Sequence, residues 1–358
     1  MKIGILTFYY CHNYGAVLQA FALRYYLKSF GHNAYFIKYQ LPILSNRYTL
    51  FRFYLYKNQS LFIKFRIFIG TILNINLRIK KRKKFISFIT KYLPEISEYS
   101  NDLDLIIIGS DQVWNPNITG GFDEYYWGDF SKKKGVPTIA YAVSCPSSVF
   151  TNSLVEKKLD NFVKIGVRES IIKEKLKEKY GINAELTIDP TLLLSSDVYK
   201  QFIHTRLITN DYYFAYNLTN NSNLKKISIE MSESNNKRLI DIKSKEYKAC
   251  GPIDFINLIF YSDIMFVSSF HGTVFSLIFH KKFIFFPSND ERDERVLSLL
   301  TELNCLHLVY NKDFNFSNIR YDWLAIDKKI NEIKKQSELF IHNTIKDEIY
   351  KNYKEQDK

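Results

Sequence analysis

No aspartate or glutamate occurs before Glu95. The same 94 residues carry 16 lysines and arginines, so this stretch holds +16 and the rest of the chain −3 of a net +13. Without acidic counterweight, the N-terminal part asks for a polyanionic partner: nucleic acid, an anionic membrane surface or a phosphorylated substrate. The motifs of RNA- and DNA-binding proteins are absent, so nucleic acid is not the expected one. No apolar run approaches the ~20 residues of a membrane-spanning helix. The opening Met1-Lys2-Ile3-Gly4-Ile5 is too short for a secretory leader and lacks a cleavage-site pattern. The four cysteines, Cys11, Cys145, Cys250 and Cys305, stand far apart, without CxxC or metal-ligand spacing. That excludes a disulfide framework and a zinc site, and fits core thiols in a reducing compartment. A cytoplasmic soluble protein is expected, with no metal and no cofactor.

What is present is a long alternation of strand and helix patterns. A chain of 358 residues exceeds one ordinary hydrophobic core. Residues 3–8 form a β-rich run. A helical pattern over 14–30 follows, ended by Gly31, and then a strand over 35–39. Residues 103–108 and 138–143 are apolar runs of the kind buried on both faces of a parallel sheet. Further strands are expected at 164–167, 185–188, 212–216, 238–242, 264–267 and 283–286, with helical stretches between them. The pattern predicts an α/β protein with two parallel-sheet domains, 1–160 and 161–322, and a helical segment 323–358 packing across both.

Residues 46–92 break the rhythm. Leu61, Phe62, Phe65, Phe68, Ile69, Ile72 and Leu73 recur at helical spacing, and Lys80-Lys81-Arg82-Lys83-Lys84 follows. Two readings stand: a helical cover with a solvated basic edge, or a surface that faces an anionic membrane, which would place the protein peripherally on the inner face of the plasma membrane.

In open parallel sheets, ligands bind beyond the carboxyl ends of strands. Asn13, Tyr14 and Gly15 follow the first strand and open a helix whose free N–H groups suit an anion or a sugar hydroxyl. This is no GxGxxG, so a dinucleotide site there has no support. Ser110, Asp111, Gln112 and Trp114 leave the 103–108 strand; the polar pair can bond sugar hydroxyls and the indole can stack on a sugar face, the alternative being an Asx turn. Arg168 ends another strand beside a helix N-terminus, suiting a carboxylate or phosphate, or else a salt bridge with Glu169 or Glu174. Asp189, before a proline, reads equally as turn or site. Ser269, His271, Gly272 and Thr273 lie where the 264–267 strand turns into an apolar helix. There His271 can transfer a proton to a bound group, the alternative being a capping histidine bonded to Asp263 or a backbone carbonyl. Arg292 and Arg295 begin the next helix and can point at the same anion.

The stretches ILTFYYCHNYGAVLQAFAL, IIIGSDQVWNP, IAYAVSC, GVRES, IDPTLLL, SSFHGTVFSLIFHKKFIFF and ERVLSLL occur in order between residues 1 and about 305. In this series the chain resembles polysaccharide pyruvyl transferase family proteins. Ser-Cys-Pro at 144–146 departs from the Ser-Phe-Gly of many members. The resemblance implies two Rossmann-like domains facing a cleft, as in GT-B glycosyltransferases. It implies transfer of the enolpyruvyl-derived unit of phosphoenolpyruvate onto two hydroxyls of a sugar or lipid-linked oligosaccharide, forming a pyruvate ketal on a surface polysaccharide precursor. It further implies His271 as acid/base and Arg168 and Arg295 as phosphoenolpyruvate ligands. Two rivals remain: a glycosyltransferase of the same architecture using a sugar nucleotide, and a non-catalytic protein holding its basic residues against an anionic surface.

Overall fold

A computed structural model of the chain describes residues 1–41, 43, 49, 59–97, 102–316 and 319–356, with side chains through 348. In chain order the principal elements are β1 (Lys2–Leu6), α1 (Tyr14–Ser29), β2 (Asn33–Ile37), α2 (Leu61–Leu73), α3 (Ile75–Tyr92), β3 (Glu95–Ile96), β4 (Leu105–Ile108), β5 (Thr138–Val143), β6 (Lys164–Val167), α4 (Ser170–Tyr180) and β7 (Glu185–Leu186). They continue with β8 (Tyr212–Tyr216), α5 (Ser222–Ser234), β9 (Arg238–Asp241), α6 (Pro252–Phe260), β10 (Ile264–Val267), α7 (Phe270–Ile278), β11 (Lys282–Phe285), α8 (Glu294–Glu302) and α9 (Trp323–Gln356). Short helical turns connect some of them.

The strands form two sheets, β3-β2-β1-β4-β5-β6-β7 and β11-β10-β8-β9. Every strand pair is parallel. Strands β4 and β5 are buried along their whole length, as continuous apolar runs in a covered parallel sheet must be. This is an α/β fold of two parallel, Rossmann-like sheets. One expected division is corrected. β6 and β7, assigned from sequence to the second half, pair with β5 and with each other in the first sheet. The chain therefore changes sheets between 187 and 211, not at 160. The strand–helix alternation runs through 160 without a break, so pattern alone could not reveal which sheet β6 joins.

Helix α1 is buried nearly all round, Tyr14 through Leu23 included. Asn13 caps it, its Oδ1 accepting the Ala16 N–H at 3.3 Å. The helix lies against both halves: Tyr14 stacks on Phe255 of α6 (4.7 Å between centroids) and its hydroxyl donates to the Cys250 carbonyl at 3.0 Å. Helix α9 touches both as well. Asp327 lies 2.9 Å from His280 Nε2, at the end of α7, while the Ser337 hydroxyl accepts the Ile188 N–H at 2.8 Å, beyond β7.

The insertion resolves into two unlike helices. Helix α3 buries Phe85, Phe88 and Ile89, so it is a cover on the core. Helix α2 buries Thr71, half-buries Ile67 and leaves its other large apolar residues exposed. Residues 46–58 of this insertion lie outside the described residues, apart from Thr49.

Candidate active site between the two sheets

In the first sheet the strand order reverses between β1 and β4, and in the second between β8 and β10. Such switch points open a crevice beyond the carboxyl ends, because adjacent connections leave to opposite faces. Here the two crevices face each other and form one cavity of about 170 Å³. From the first half, Asn13 and Asp111 with Gln112 reach its wall; from the second come Tyr216, Ser269, Phe270, His271 and Arg295.

His271 sits in the first turn of α7. Ser269 caps that turn, its Oγ accepting the Gly272 N–H at 3.1 Å. The imidazole, 8 % exposed, lies directly on the first turn of α1. A Cβ on Gly15 would stand 2.0 Å from His271 Nδ1, so only glycine leaves room for the ring. The other ring nitrogen, Nε2, is 3.6 Å from Asp189 Oδ2. We expect Gly15→Ala to push the imidazole out of this seat and lower turnover at least tenfold, while thermal unfolding moves by only a few degrees. A kinetic assay beside a melting curve checks this, and near-normal turnover would show that the seat is dispensable.

Asp189 is the hinge of the arrangement. Its Oδ1 accepts the Thr191 N–H at 2.9 Å, capping the turn before Leu192, and its Oδ2 meets Arg168 Nη2 at 2.8 Å. Burial alone would raise its pKa, but the Arg168 guanidinium and His271 outweigh that and hold the carboxyl well below its usual range. Arg168 Nη2 also donates to Ser110 Oγ. Its Nε and Nη1 are buried and have no hydrogen-bond partner among the described residues. Phe270 separates two guanidiniums: Arg168 lies 4.6 Å from the ring centroid and Arg295 5.7 Å. Arg295 faces Asp111, with Nη1 3.6 Å from Oδ1. Its pKa is lowered by burial and by the neighbouring Arg168.

Beside the arginines lies Glu169, fully buried, with Oε1 accepting from the Ser144 hydroxyl at 2.5 Å. Burial pushes its pKa up to about 7, against the opposing pull of Arg168. The turn after β4 is equally constrained. Gly109 stands at φ 114°, where a Cβ would meet the Tyr141 carbonyl oxygen at 2.2 Å, and Asp111 follows at φ 74°.

The structure thus brings Asn13, Asp111, Gln112, Ser269, His271 and Arg295 to one cavity. Gly15 and Gly272 shape it from behind. Ser110 is buried beneath the wall, bonded to Arg168. Arg168 itself lies beneath the wall, its side chain 3 % exposed, and its ion-pair partner is Asp189, not Glu169 or Glu174. Asp263 pairs with Lys237 and leaves His271 to Asp189.

Four expected contacts do not form. Trp114 is fully buried and stacked on Trp127 at 4.6 Å, its indole N–H donating to the Tyr126 carbonyl, so neither face can meet a sugar. Burying two large rings against each other outweighs leaving one in a wet cleft. Arg292 turns outward because Asp290 caps its turn and holds the guanidinium at 2.8 Å from Nε. Thr273 is buried and donates to the Ser269 carbonyl. Tyr14 packs between the halves and is no part of the wall. Asp189 was read equally as turn or site, and Glu169 and Phe270 were missed as site residues. The first had a usable signal, its place after a strand; Glu169 and Phe270 were adjacent to residues singled out, but nothing in their spacing marked them.

Paired switch points, a histidine–aspartate contact and an arginine on the cavity wall define an α/β protein with a charged cleft between two parallel sheets. The family model for polysaccharide pyruvyl transferase matches residues 13–290, and the chain belongs to that family. It is accordingly a transferase of polysaccharide biosynthesis. No curated protein matches the chain in sequence. Among solved structures it is similar to UDP-GlcNAc 2-epimerase from Methanocaldococcus jannaschii, at 12% identity and a TM-score of 0.43 over 92% of either chain. It is also similar to that epimerase in complex with UDP-GlcNAc and UDP, at 12% identity and a TM-score of 0.42 over 94% of this chain and 100% of that one.

Proposed function

We propose that the cavity binds phosphoenolpyruvate and a sugar bearing two hydroxyls, and joins them as a pyruvate ketal with release of phosphate. The observation that carries this reading is the convergence of His271 and Arg295 on one cavity wall, with Arg168 and Asp189 directly behind. Family membership supports the transferase; the resemblance implies the donor and the ketal, and these groups suit that chemistry.

The reaction needs a proton on the methylene carbon, after which C2 is cationic and accepts the first hydroxyl. Loss of phosphate then regenerates a cation that the second hydroxyl traps. One hydroxyl proton ends on the new methyl group and the other on phosphate. His271 delivers the first proton and collects one from a hydroxyl, with Asp189 placed to steady the imidazolium. Arg295 holds the donor's carboxylate or phosphate, and the buried positive field of Arg168 adds to it. Asp111 and Gln112, entering from the opposite sheet, hold the sugar hydroxyls. On this reading the acceptor belongs to the first half, and the donor lies between Arg295 of the second and Arg168 of the first.

The test is phosphate release from phosphoenolpyruvate with candidate sugar acceptors, followed by the mass of the product. Arg295→Ala should weaken phosphoenolpyruvate binding about 10–100-fold, the range of one charged hydrogen-bonded contact. Arg168→Ala should weaken it too, and Arg168→Lys should restore only part, because an ammonium lacks the planar group that lies 4.6 Å from the Phe270 ring centroid. Unchanged affinity in both alanine variants, or tight binding of a sugar nucleotide instead, would overturn the assignment.

A further inference from the structure

Helix α2 reads LFIKFRIFIGTIL. A helix this apolar ordinarily lies inside a core. Here Leu61, Phe62, Phe65 and Leu73 are 63–84 % exposed, a contiguous apolar surface of the kind that marks an interaction site. At 13 residues it is about 20 Å long, short of the ~30 Å hydrocarbon thickness of a bilayer. No helix among the described residues is long and apolar enough to cross a membrane.

The charges around α2 select its partner. Lys64 and Arg66 lie on the helix itself, and Lys80 and Lys83 are exposed on α3, in a segment with no acidic residue before Glu95. The basic run is not uniform. Lys81 is held 4.7 Å over the Tyr14 ring within the first half, and Lys84 pairs with Asp254 of the second at 2.7 Å, so both are engaged within the fold. A second copy of the chain is a poor occupant, since a two-fold contact would set the same basic patch against itself.

We propose that α2 and the exposed edge of α3 form a docking surface for an anionic lipid bilayer, α2 lying in the headgroup plane with its apolar residues inserted and the lysines on the lipid phosphates. The surface continues toward the candidate site. Arg82 of the same run lines a cavity of about 220 Å³ with Cys11, which also borders the main cavity. Docking therefore sets the acceptor side of the cleft beside the membrane. The inference concerns where the protein binds and stands apart from which group it transfers.

The test is co-sedimentation of the full chain with vesicles of phosphatidylcholine plus phosphatidylglycerol, against phosphatidylcholine alone. Wild-type protein should pellet with the anionic vesicles at low salt and be released as salt shortens the Debye length from ~10 Å at 0.1 M to ~3 Å at 1 M. Each near-surface lysine contributes about fivefold, so Lys80→Gln with Lys83→Gln should weaken partitioning about 30-fold. Phe62→Ser with Phe65→Ser should weaken it at least tenfold at fixed salt. Both variants change exposed residues, and unchanged melting temperatures establish that they fold. The proposal is overturned if wild-type protein ignores anionic vesicles at low salt, or if both variants bind as well as wild type. It is overturned equally if ultracentrifugation finds a dimer that Phe62→Ser with Phe65→Ser dissolves, for then the surface belongs to a second copy.

Discussion

His271→Ala should lower kcat by about 10²–10⁴-fold, the usual cost of losing a group that transfers a proton in the rate-limiting step. The ring reaches the cavity while seated between the Gly15 backbone and Asp189, so its loss removes chemistry and leaves most of the packing. Stability should fall by about 1–3 kcal/mol, within the range of single buried substitutions and well below total folding stability. His271→Gln preserves volume and one hydrogen-bonding end but cannot carry a proton at neutral pH, and should be as inactive. That second variant separates acid/base work from space filling. If either protein turns over near the wild-type rate with intact fold, His271 has no part in proton transfer.

The largest effect on stability is expected at Asp189. Its carboxylate is fully buried against Arg168, and truncating one member of a buried pair leaves the other charge uncompensated. Asp189→Ala should cost about 3–5 kcal/mol, read from urea unfolding. The pH dependence has a definite sign. The folded carboxyl is held below the ordinary Asp value of ~3.9, so its contribution is present above that pH and is lost as pH falls through the depressed folded value. Replacing both partners, Arg168→Met with Asp189→Leu, should recover much of the lost stability, since an apolar pair fills the space without burying charge. Activity should not return, because the groups behind His271 and Arg295 are gone. A loss under about 1 kcal/mol in Asp189→Ala would mean that water reaches the pair and that it organises nothing.

Much of the fold was legible because parallel-sheet strands announce themselves. Runs such as Leu105–Ile108 and Ile264–Val267 are apolar at every position, and only a strand covered on both faces tolerates that. His271 was legible for a related reason: it is a titratable ring at the polar break between a buried strand and a buried helix. Trp114 misled, because an aromatic at a strand exit reads alike whether its ring turns outward or, as here, inward onto Trp127. Arg292 misled because its partner, Asp290, sits two residues back and caps the turn, a local competition that spacing does not weigh.

The sequence by itself determined the class of fold, the ends of the strands where chemistry could sit and the one-sided charge of the first 94 residues, because these depend on local periodicity and composition. Tertiary structure decided which strand exits meet. Gly15 and His271 are 256 positions apart (271 − 15), yet the ring rests on the glycine. Asp189 joins Arg168 to His271 although it belongs to neither segment's local pattern. Tertiary structure also divided the basic insertion, turning α3 onto the core and leaving α2 bare. Both helices are apolar enough to pack, and the difference lies in which of them finds a partner surface within reach of the fixed sheet.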